Sequence, residues 1–277
     1  MYQDDASIRP NSTMFAALHG ELTLHPWRDP VTAESDAYSL FYARSSAMGW
    51  LADASESHLG GTWGMNDAEQ DPVSGSQPSR RIWFQVVLID PIPVGRPLPV
   101  QAFLACAGDV VARIGTLRLQ AVKVLLPVER LNTSAGASSH LNAVGNLIQD
   151  SGWFADCNPH LSTQVRVTLD SGQDSSIRSV APAMFQWMQQ FRQKVFACDS
   201  FSLKDDDAVV LQPAITEALW LGPGQHRATF HGTLIEWSLD ALGWLAAFLS
   251  TASSKHGVST PLMLTVSRSE GSVSRAQ

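Results

Sequence analysis

At 277 residues, with 44% hydrophobic and 16% charged residues, the chain has the composition of one large globular domain or two ordinary ones, not of a disordered polymer. Its formal net charge of −7 argues against nucleic-acid and anionic-membrane surfaces, both of which need clustered cations. Cys106, Cys157 and Cys198 are scattered, form neither a CxxC pair nor a disulfide framework, and read as free thiols of a reducing compartment.

Residues 1–13 are polar, carry Asp4 and Asp5, and lack the basic segment and apolar run of a signal peptide. They are expected to be a disordered tail, as are residues 270–277. No stretch approaches the roughly 18 apolar residues of a membrane span, so a cytoplasmic location is expected. Alternation over Phe15–His25 predicts a first strand, and Glu34–Ala54 a helix. A short strand near Gly61–Asn66 leads into the Ser/Pro-rich stretch Ala68–Arg80, expected to be a mobile loop. A strand over Phe84–Asp90, an Ala/Leu-rich helix around Ala102–Leu104 and a strand over Leu117–Leu126 follow. The stretch from Val128 to Leu161 reads as a connector with a short helix near Leu141–Gln149.

The pattern then recurs. Gln164–Asp170 alternates as a strand, and Val180–Cys198 carries Phe185, Met188, Phe191 and Val195 at helical spacing, with Pro182 expected in the first turn. A strand is expected within Ala208–Leu221 and a hairpin at Gly222–Gln225. Phe230–Glu236 aligns with Phe84–Asp90 at an offset of 146 positions, and Ala-Phe-Leu at 247–249 repeats Ala-Phe-Leu at 102–104. Pro261–Val266 supplies the last strand. The expected fold is therefore α+β, a tandem duplication of a ferredoxin-like β-α-β-β-α-β unit. Its copies would occupy 14–128 and 162–269, joined by the connector 129–161.

In such a unit the helices cover one sheet face and leave the other open. The period-two pattern assigns Ala16, Leu18, Phe84, Val86, Val165, Val167 and Phe230 to the covered side. It leaves His19, Glu21, Trp83, Gln85, Arg166, Thr168 and His231 on the other. Were the two sheets to stack open face to open face, these residues would converge on one cavity. There His231, Glu21 and His19 are the candidate acid–base groups, since imidazole and carboxylate titrate nearest neutrality. Arg166, Gln85, Trp83 and Thr168 are the candidate binding groups; the Arg166 fork suits a carboxylate, its alternative being a salt bridge at a sheet edge. No metal site is expected, because His19 and His25 lie about 20 Å apart along an extended strand. No cofactor is expected either, since the nucleotide- and metal-binding motifs are missing.

Fused in this way, the architecture resembles the dimeric α+β barrel proteins. That resemblance implies cofactor-independent chemistry on apolar aromatic or polyketide-like substrates. Two functions are therefore expected to compete. One is a small-molecule-binding protein or enzyme taking an apolar or aromatic ligand. The other is a non-catalytic module whose open sheet face binds another protein.

Overall fold

Period-two alternation places strands wherever side chains must face two environments in turn, and the computed structural model bears this out for most of them. It describes residues 12–28, 36–52, 61–70, 80–89, 92–131, 137–203 and 225–269. Among these the chain is α+β, with eight strands and five α-helices. In order they are β1 (Thr13–Leu24), α1 (Ala37–Ala47), β2 (Trp63–Gln70), β3 (Arg80–Leu88), α2 (Val100–Ile114), β4 (Gly115–Leu126) and α3 (Ala137–Asp150). There follow β5 (Thr163–Asp170), α4 (Ser176–Met188), β6 (Phe196–Ser202), β7 (Arg227–Leu234), α5 (Leu239–Lys255) and β8 (Leu262–Arg268).

All eight strands form one antiparallel sheet in the order β2-β3-β1-β4-β8-β5-β7-β6. The two four-stranded halves are thus joined edge to edge through β4 and β8, not stacked face to face. The register at this seam pairs Val122 with Val266, Lys123 with Thr265 and Val124 with Leu264.

One face of the sheet carries Met14, Ala16, Leu18, Ile82, Phe84, Val122, Val124, Val165, Val167, Phe230 and Leu264, all buried with the helices in one core. Its packing is largely aromatic: Phe41 stacks on Phe84 and meets Phe103 edge-on, and Trp244 stacks on Phe248. Truncating such a ring typically costs about 3–5 kcal/mol. The opposite face has a smaller core of its own, made of Phe15, Ala17, Trp83, Leu125 and Met263.

Local chemistry sets the element ends. Asp36 caps α1 by accepting the Ser39 amide at 2.7 Å, and Gly49, at φ 69°, turns the chain out of that helix. Ser238 caps α5 through the Ala241 amide. Helix α5 is buried along nearly its whole length because α2 and α3 both pack on it. Gly243 lets α2 approach, since a Cβ there would meet the backbone of Gln101. Trp244 Nε1 donates to the Leu147 carbonyl of α3 at 2.7 Å.

Two expectations are corrected in the second half. Helix α4 begins at Ser176, where the Asp174 carboxylate accepts the Ser176 amide, so Pro182 lies inside the helix, not in its first turn. It ends at Met188, and Phe191 and Val195 reach the core from the turn that follows, which Gln193 closes by bonding both the amide and carbonyl of Phe196. The strand that pairs with β7 is accordingly Phe196–Ser202. The expected strand within Ala208–Leu221, most of the hairpin at Gly222–Gln225 and most of the Ala68–Arg80 loop lie outside the described residues.

Candidate functional site

Residues opposite one another in a ladder share a face, so the registers define rows running across the sheet. On the face away from the described helices, one row runs Glu69, Trp83, Ala17, Lys123, Thr265, Thr168, Thr229, Ser202. A second runs Gln85, Phe15, Leu125, Met263, Asp170, Arg227. A third runs His19, Ala121, Ser267, Arg166, His231, Ser200.

These rows show which expected site residues meet. His19, Trp83 and Gln85 are gathered on β1 and β3, with Trp83 stacked on Phe15 at 5.6 Å. Arg166, Thr168 and His231 are gathered on β5 and β7. The two groups do not converge. Four strand spacings, about 19 Å, separate His19 from His231, because β4 and β8 lie between the halves. His19 itself is fully buried. Glu21 is exposed and stands opposite Arg118 of β4.

The β5–β7 side is polar and closely bonded. Thr168 and Thr229, both buried, share a hydrogen bond of 3.1 Å between their hydroxyls. Arg227 Nε donates to Asp170 Oδ2 at 2.6 Å, and the Gly172 amide donates to Asp170 Oδ1 at 2.8 Å. Burial raises the Asp170 carboxyl above its ordinary range despite Arg227, Gly172 and Lys123. Burial likewise lowers the Lys123 ammonium, with Asp170 opposing that shift. Next along the face, Gln164 Nε2 donates to Thr233 Oγ1 at 2.7 Å.

Lys123, Arg227 and Ser267 were not among the expected site residues. One signal for them was present: a lysine at the centre of Ala121-Val-Lys-Val-Leu-Leu126 has no place on an apolar strand unless its face is polar.

Other reactive groups are quiescent. Burial pushes the thiols of Cys106 and Cys198 up to about 11 and about 12. The hydrogen bond from Cys157 Sγ to Glu236 Oε2, 2.9 Å long, pushes that thiol up to about 11. None is a thiolate nucleophile at neutral pH. Among the described residues no three His, Cys, Asp or Glu side chains group closely enough to hold a metal ion, and no helix is long and apolar enough to cross a membrane. A concavity of about 20 Å³ lies on the helix side between Gly95, Arg96, His140 and Thr251. It touches none of the expected site residues and is far below the roughly 300–1,000 Å³ of a ligand pocket. No protein-family model, curated protein or solved structure matches the chain.

Proposed function

We propose that the chain is a tandem pair of ferredoxin-like units whose continuous second face binds a small molecule on its β5–β7 side. Three observations support the duplication. Each half runs β-α-β-β-α-β. The offset that aligns Phe84 with Phe230 in sequence also aligns Trp83 with Thr229, and these two residues occupy the same row at equal distances from the seam. The edge strands β2 and β6 are bulged at matching places, opposite Gln85 and Val86 in one half and His231 and Gly232 in the other. A pseudo-two-fold axis between Lys123 and Thr265 relates the halves.

One observation carries the binding reading. The second face is divided into an apolar cluster already closed to solvent and a polar side whose charges and hydroxyls on β5 and β7 are half-buried or buried. A surface meant for another protein would show the reverse, an exposed apolar patch. Ligand sites combine apolar walls with a few placed polar groups. The ligand therefore sits along β5 and β7, not between two stacked sheets. Native mass spectrometry tests this. The intact protein should carry a mass excess that disappears on denaturation, or should acquire one from a metabolite extract, and Thr168→Val should reduce it. A bare mass under both conditions would sink the reading.

The connector favours a second reading at a different place. Trp153 and Leu161 are 74% and 55% exposed, which suits contact with a protein partner. A mass above the monomer in light scattering, lost in Trp153→Ser, would mark that contact.

A further inference from the structure

We infer that the row segment Ser267, Arg166, His231 is a slot for a small organic monoanion, a carboxylate held by the Arg166 guanidinium. The inference rests on the ligand-binding reading of this face and names the ligand's class.

Arg166 lies on β5, inside the sheet, where its neighbours across the ladders are His231 and Ser267. It is half-buried, and no described carboxylate holds it. The comparison with other arginines is direct: Arg227 is held by Asp170 and Arg44 by Asp109, each at 2.6 Å. A partly desolvated cation lacking its counter-charge is costly, and the cost disappears when an anion arrives. The salt bridge at a sheet edge that Arg166 was expected to make as its alternative is thus missing among the described residues, and β5 is not an edge strand.

The rows to either side are already hydrogen-bonded across the ladder. On one side Thr168 bonds Thr229, and on the other Gln164 bonds Thr233. Between them this row offers the planar guanidinium of Arg166, with the His231 imidazole and the Ser267 hydroxyl one strand to either side of it, all able to donate to an anion seated on Arg166. Among the described residues two acids lie nearby. Asp170 shares the face four residues along β5 and is bound to Arg227 and Gly172. Asp199 is the bulged residue of edge strand β6, beside Ser200, and is exposed.

Charge selects within the anions. One guanidinium balances one negative charge, and its two parallel N–H groups match the two oxygens of a carboxylate. A phosphate dianion would leave a charge uncompensated. The ligand is therefore a carboxylic acid.

The test uses benzoate, benzamide and inorganic phosphate as probes, titrated into the full chain and followed by NMR and calorimetry. Benzoate should bind saturably, and benzamide, of the same shape but uncharged, about tenfold or more weaker. Phosphate should bind more weakly than benzoate. Arg166→Met should lose benzoate binding by about tenfold or more. Arg166→Lys, which keeps the charge and loses the fork, should fall between. Benzoate that fails to saturate, or that binds no better than benzamide or phosphate, overturns the inference in the wild-type protein alone, whatever the variants do. Equal binding by wild type and a folded Arg166→Met protein overturns it too. A neutral molecule retained in native mass spectrometry while benzoate fails would remove the carboxylate and leave the ligand-binding face standing.

Discussion

Glu129 offers the most direct test of how burial governs this molecule. It lies in the short 3-10 turn Val128–Arg130 that follows β4. Both of its carboxyl oxygens are buried without a hydrogen-bond partner. Burial raises its pKa from 4.5 to about 7, against smaller opposing effects of its own backbone amide and of Arg130. The sign follows from which state holds more protons. Between pH 4.5 and 7 the folded chain keeps this proton and the unfolded chain has released it. The stabilisation is present in full below pH 4.5 and is lost as pH rises through 7. Each pH unit of the gap is worth about 1.4 kcal/mol, so above pH 7 the buried carboxylate costs about 3 kcal/mol relative to the protonated form. That is a large share of the roughly 5–15 kcal/mol that holds a typical domain folded. Glu129→Gln keeps the shape and cannot ionise. Urea unfolding at pH 5 and at pH 8.5 should show the wild type losing about 3 kcal/mol more than Glu129→Gln over that interval. Parallel losses in the two proteins would refute the reasoning.

The buried pair Asp170–Arg227 should behave asymmetrically. Arg227→Ala leaves a carboxylate of 6% exposure with the Gly172 amide and the more distant charge of Lys123 and should cost about 3 kcal/mol or more in urea unfolding, while the double change Asp170→Asn with Arg227→Met should recover most of it. His140 and His256 should oppose the trend of Glu129. Burial is the main cause lowering both, the positive charge of Lys255 adds to it, and His140 further disfavours protonation of His256 at the C-terminal end of α5. Their contribution is present above pH 6.5 and lost as pH falls below it, so between pH 7 and 5.5 the melting temperature of His140→Asn should rise relative to that of the wild type.

Much of the fold was legible because its central strands keep period two without interruption. Met14, Ala16 and Leu18, then Ile82, Phe84 and Val86, then Val165, Val167 and Leu169 each face the helices, as alternation requires. Strand β6 was hidden for a physical reason. The bulge at Asp199 breaks the alternation of Phe196, Cys198 and Phe201, while Phe185, Met188, Phe191 and Val195 continue a helical spacing past the end of α4. The joining of the halves was not legible at all. Alternation says which side chains a strand buries and nothing about which edge it offers to a strand some 140 positions away. That missing fact decided the site. With β4 and β8 at the seam, His19 and His231 share a row yet cannot share a substrate.

If the halves are copies, the seam also explains why only one of them keeps a polar face. Joining β4 to β8 removes two of the four edges that separate units would expose. The remaining edges, β2 and β6, are both bulged, which discourages further strand addition. The axis through Lys123 and Thr265 pairs Phe15 with Arg166, Ala17 with Thr168, Trp83 with Thr229 and Gln85 with His231. At three of these four pairs the first copy has the less polar residue. Phe15, Ala17 and Trp83 belong to a closed apolar cluster, which stabilises the sheet. Their counterparts kept donors and stayed polar. On the proposed reading one copy stabilises the face and the other holds the site, so substitutions at Phe15 or Trp83 should move stability with little effect on binding, and Arg166→Met should do the opposite.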